Sequence, residues 1–83
     1  MIERWNIERC TKIRKLLGCS ASKIARELYL EKQTILNWEH GKSKLSIENY
    51  EIQYTLALKS ILEERGVTIE DLKQQLIADI EDL

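Results

Sequence analysis

Apolar residues recur along this chain at helical spacing, and the pattern is interrupted four times. Cys10, Ile13 and Leu17 fall on one face of a first helix running from the cap at Asn6 to about Leu17. Ile24, Ala25 and Leu28 form the inward face of a short second helix. Ile35 and Trp38 form that of a third, which leaves Lys32, Gln33, Thr34 and Asn37 outward. Ile47, Tyr50, Tyr54, Ala57, Leu58, Ile61 and Leu62 then keep the period as far as Arg65, about 28 Å of helix at a rise of 1.5 Å per residue. Ile69, Leu72, Leu76, Ile80 and Leu83 make the stripe of a fifth helix, with Ile77 beside it.

Each start carries the same signature. An apolar residue precedes a capping residue, and a second apolar residue follows at the fourth helical position, so that the two apolar side chains clamp the chain's entry. The sets are Trp5–Asn6–Cys10, Cys19–Ser20–Ile24, Leu30–Glu31–Ile35, Leu45–Ser46–Tyr50 and Val67–Thr68–Leu72. The third start is the weakest, because Glu is a poor N-cap. Gly41 can take the left-handed conformation that closes a helix, and Gly66 ends the fourth. The pattern predicts an all-α five-helix bundle in one domain: helices one to three within 6–45, a long fourth helix and a fifth within 46–83.

The chain has 83 residues, of which 43% are hydrophobic and 33% charged, with no proline. That is enough apolar material for one core, although a chain this short buries only about 60–65% of its unfolded surface. Cys10 and Cys19 make no disulfide framework and read as buried free thiols. One His and two distant Cys give no metal-ligand spacing, so no metal or cofactor is expected. No Ser/His/Asp set accompanies His40, and the carboxylates lie on amphipathic helices, so an enzyme is not expected. Without a signal peptide, an apolar run of membrane-spanning length or a lipidation motif, the expected setting is cytoplasmic.

Charge changes the picture only when the chain is divided. Residues 1–45 hold ten Lys or Arg against five Asp or Glu, and residues 46–83 hold three against nine. The overall charge of −1 therefore conceals a half at +5 and a half at −6. Such segregation suggests one basic face and an acidic remainder.

Gly18 to Gly41 resembles, without a gap, the helix-turn-helix of the phage Cro and repressor type. Ala25 stands at that family's small position in the first helix of the motif, and Ile35 at its buried branched position in the second. Trp38, Glu39, Gly41 and Lys42 match its closing aromatic–Glu–x–Gly–Lys. The likeness extends back to Ile13 and Arg14 and on to about Tyr54. Three departures stand out: Ala21 replaces the Gln that contacts phosphate, Tyr29 replaces the Gly of the turn, and Leu45 replaces a Pro. Tyr29 would be strained if its φ were positive. The fourth helix is also about two turns longer than usual.

The resemblance implies sequence-specific binding of double-stranded DNA by a small transcriptional regulator. Its recognition helix would begin near Lys32 and lie in the major groove. Lys32, Gln33, Thr34 and Asn37 would then face base edges, Gln33 suiting adenine N6 and N7 and Lys32 suiting guanine O6 and N7. Arg14, Lys15, Lys23, Lys42 and Lys44 would meet phosphates, and Glu31 would lie close to the DNA. Arg14 and Glu39 occupy positions that pair as a buried ion pair in the family. The stripe Leu72, Leu76, Ile80 and Leu83 offers a homodimer interface. An alternative is an antitoxin or protein-interaction module that keeps the motif as scaffold and binds a partner protein through its acidic C-terminal half.

Overall fold

The computed structural model describes residues 4–72 and 74. Its elements are α1 (Ile7–Leu16), α2 (Ala21–Glu27), α3 (Lys32–Glu39) and α4 (Ile47–Arg65), and a fifth helix, α5, opens at Ile69. No strand occurs among the described residues. The molecule is an all-α five-helix bundle, and no described helix is long and apolar enough to cross a membrane.

The starts follow the local chemistry. Asn6 accepts from the Arg9 amide at 2.8 Å, Ser20 from Lys23 at 3.2 Å and Ser46 from Asn49 at 3.4 Å. Thr68 and Asp71 cap reciprocally, at 3.2 and 3.0 Å, and the Thr68 amide holds the Asp71 carboxyl below its usual value. Glu31 makes no side-chain cap bond, so α3 starts without one. It relies instead on packing, since Ile35 and Trp38 are buried.

All four complete helices end in one way. The last turn is closed by a six-to-one amide bond: Cys19 to Arg14 O, Leu30 to Ala25 O, Lys42 to Asn37 O and Val67 to Leu62 O. Such a closure needs a left-handed residue. Gly18, Gly41 and Gly66 provide it at φ near +70°. After α2 the same position is held by Tyr29, at φ 57° and 97% exposed.

The core gathers on α4. Tyr50, Tyr54, Ala57, Leu58, Ile61 and Leu62 are buried along it, facing Ile13 of α1, Ile24 and Ala25 of α2, and Ile35 and Trp38 of α3. Trp38 stacks on Tyr50 at 5.7 Å between ring centres and leans on Tyr54 at 6.3 Å. Two polar residues of α4 are buried as well, because the chain ahead of α1 docks there. Thr55 accepts from the Trp5 amide at 2.9 Å, and Glu51 accepts from the Ile7 amide at 2.7 Å and pairs with Arg4 at 3.4 Å. Trp5 is thereby buried, with Arg9 and Lys59 over its ring. Both cysteines are buried free thiols, and burial pushes Cys10 up to about 11.

Two expectations need correcting. Ile47 is 62% exposed and Leu45 is 45% exposed, although spacing placed Ile47 inward and paired Leu45 with Tyr50. They lie at the start of α4, where no described element covers them. Leu72, assigned to a dimer interface, is only 3% exposed and belongs to the core of its own chain, where it closes the bundle beside Val67 and Ile69. Leu76, Ile80 and Leu83 lie outside the described residues.

Candidate nucleic-acid interface

The candidate surface is the outward side of α3 with the loop that follows it. α3 is pinned from behind by α2, whose Ala21, Ile24 and Ala25 are buried. The tight turn at Tyr29 and Leu30 sets the two helices against each other. With Ile35 and Trp38 inward, Lys32 and Gln33 are exposed and Thr34 and Asn37 half-exposed. Gln33 and Asn37 stand one turn apart on the same face, and Gln33 Nε2 donates to Asn37 Oδ1 at 3.0 Å.

Beside this face the loop folds back to form an open groove of about 330 Å³. Its lining is Thr34, Asn37, Trp38, Lys42, Ser43, Lys44 and Leu45. The loop is shaped locally: Gly41 takes the left-handed turn at φ 70°, and Ser43 Oγ accepts from the Leu45 amide at 3.0 Å. The charged side chains of the groove are both lysines, and Asn37, Thr34 and Ser43 add neutral donors. An acceptor-only anion suits that set.

Behind α3 lies a polar node. Arg14 grips Glu39 with two bonds, Nε to Oε2 at 2.8 Å and Nη2 to Oε1 at 3.0 Å. Its Nη1 donates to the Cys19 carbonyl at 2.9 Å, and its Nε also lies 3.1 Å from the Tyr54 hydroxyl. Tyr54 donates to Glu39 in turn. The bond to Glu39 holds Arg14 yet more firmly charged, while burial and the bond to Glu39 push the Tyr54 hydroxyl well above its ordinary value. The expected ion pair is present, and Tyr54 is a member that sequence spacing did not reveal.

No family model, curated protein or solved structure matches this chain.

The expected phosphate contacts divide on geometry. Arg14 is corrected: its side chain is 13% exposed and its donors are engaged inside the fold, so it presents nothing to an outside phosphate. Lys23 is paired with Glu27 at 3.2 Å and lies 3.8 Å from Glu64. Lys15 is exposed and shares a shallow depression with Thr11, Lys12 and Glu39. Lys42 and Lys44 are brought together in the groove beside α3. Glu31 is exposed at the start of α3. Ala21 is 4% exposed and packs inward, so the departure at that position leaves no side chain for an outside partner. Ser43 went unnoticed in the sequence; its place between two lysines was the only available signal.

Proposed function

We propose that the protein is a sequence-specific double-stranded DNA-binding regulator of the phage Cro and repressor type. In this reading α3 lies in the major groove with Lys32, Gln33, Thr34 and Asn37 toward base edges, while Lys42, Lys44 and Lys15 hold phosphates. The observation that carries it is the pairing of an outward amide face, Gln33 with Asn37, with an adjoining groove whose charged members are both lysines. The charge division supports it, since the acidic half belongs away from phosphate. A homodimer in the cytoplasm completes the reading: one recognition helix reads only a few base pairs, and a two-fold pair reads two half-sites about 34 Å apart. With Leu72 inside its own chain, the proposed interface is left with the rest of the sequence stripe, Leu76, Ile80 and Leu83, which lie outside the described residues.

The test is fluorescence anisotropy with the full chain, using a random duplex pool before and after rounds of selection, at two salt concentrations. Enrichment of one sequence, with binding that weakens as salt rises, is expected. A second reading, a partner-protein module such as an antitoxin, is favoured by the inward Ala21 and by exposed Leu45 and Ile47. Absence of DNA binding at both salt concentrations would leave that reading in place of the first.

A further inference from the structure

Two surfaces stay uncovered among the described residues. Tyr29 takes a left-handed backbone, φ 57°, at the only end of a complete helix where no glycine relieves it, and its ring is 97% exposed. Leu30 beside it is 37% exposed. Backbone strain of this kind persists where a contact is made through it. After α3, Leu45 and Ile47 are 45% and 62% exposed, and Leu45 borders the open groove of Lys42, Ser43 and Lys44.

We propose that the Tyr29 turn of one copy of this chain docks in the groove of a second copy. The contact goes beyond the DNA-binding reading and stands without it. It does not close within one chain, because the fold holds Tyr29 in solvent, outside the lining of the groove. The chemistry of the two surfaces matches. Tyrosine is a rigid aromatic with a polar tip, a type enriched among interface anchors. Its ring meets the Lys42 and Lys44 ammonium groups, which favour an aromatic face. Its hydroxyl meets the neutral donors and acceptors of Asn37 and Ser43. Leu30 covers the apolar rim at Leu45 and Ile47, taking both sides out of water. Charge sets the orientation. Around the turn Glu27 is paired with Lys23 at 3.2 Å, which leaves Arg26, Glu31 and Lys32 exposed. Of these only Glu31 is opposite in sign to the groove, so Glu31 leads toward Lys42 and Lys44 while Arg26 and Lys32 stay outside. Turn and groove are different surfaces, so the contact is heterologous: each copy keeps a free groove or a free turn for another, and association stays open-ended. The groove is also where the DNA-binding reading puts phosphate, so it takes either the turn or DNA. One turn in one groove is a small interface, with a Kd on the order of 1 mM.

Sedimentation equilibrium of the full chain, from micromolar concentration to about 1 mM, reads the contact as a rise in weight-average mass, expected to be about twofold. The micromolar mass is the baseline, whether it is that of one chain or of two, so a C-terminal dimer does not enter the comparison. Tyr29→Gly removes the ring and relieves the backbone. Leu45→Glu places a carboxylate in the groove, against Glu31, at a position already exposed. Each variant alone should show no rise. An equal mixture of the two should regain part of it, because one keeps its groove and the other its turn. The doubly substituted chain, Tyr29→Gly with Leu45→Glu, should restore nothing when added to either. A flat mass in the unaltered protein overturns the proposal. So does a full rise in either variant, or a mixture that stays flat. Should Leu45→Glu fail to fold, Lys44→Glu takes its place in the mixture.

Discussion

Tyr29 is the residue whose conformation the chain tolerates least comfortably. It holds the left-handed position that glycine holds after α1, α3 and α4, and its side chain gains nothing in return, being 97% exposed. A left-handed non-glycine residue costs about 1–2 kcal/mol. Tyr29→Gly is therefore expected to raise stability by about 1 kcal/mol in urea unfolding; an unchanged or lower midpoint would mean that the turn is held by something its geometry does not reveal. The strain was foreseeable only as a condition, since the sequence names the residue while the six-to-one closure sets its φ. Cys10 makes a second residue-level case. Its folded value, about 11, lies above the ordinary 9.0, so the folded thiol keeps its proton where the unfolded thiol has lost it. The contribution is complete below pH 9.0 and is lost as pH rises toward 11. Stability should fall by about 1.4 kcal/mol per pH unit in that window. Cys10→Ala should show a shallower fall between pH 9 and about 10, and equal slopes would exonerate the thiol.

The elements were the most legible part of the chain. Caps and left-handed stops are local chemistry, so Asn6, Ser20, Ser46, Gly41 and Gly66 stand where their side chains or their lack of one place them. Burial is not local. Ile47 keeps the apolar period of α4 yet stays exposed, while Glu51 and Thr55 share that period's inner face because an incoming chain supplies Trp5 and Ile7 amides to meet them. The candidate site was legible in the same uneven way. Spacing placed Gln33 and Asn37 outward, but only the fold joins them to the Lys42–Lys44 loop and withdraws Arg14 from the surface. That loop yields an element-level prediction. Lys42→Ala and Lys44→Ala should each weaken binding to every duplex and lower the slope of log affinity against log salt by about one unit. If neither slope changes, the loop remains in solvent when DNA binds.

At the scale of the whole molecule, the homodimer proposed above is tested by mass. Leu72 lies in the core of its own chain, and Leu76 is the next member of the sequence stripe on which the proposed homodimer rests. Sedimentation equilibrium at micromolar concentration should give twice the 9.8 kDa of one chain, returning to the single mass in Leu76→Glu. A mass of 9.8 kDa in both proteins would end the dimer model. The Arg14 node has a consequence of another kind. From α1 its guanidinium reaches the carbonyl ahead of α2, the last residue of α3 and the middle of α4. Detaching α3 takes Glu39 from the guanidinium, at a cost of about 3–5 kcal/mol, and detaching α2 or α4 costs it a charged hydrogen bond, about 1.5–3 kcal/mol. Partial openings are thus penalised as heavily as a large share of complete unfolding. In native-state hydrogen exchange, the central amides of α1, α3 and α4 should open with one shared free energy equal to that of global unfolding. Arg14→Met should split them into separate steps, with α3 released first. A staircase of opening energies in the unaltered protein would show that its helices part company without consulting the node.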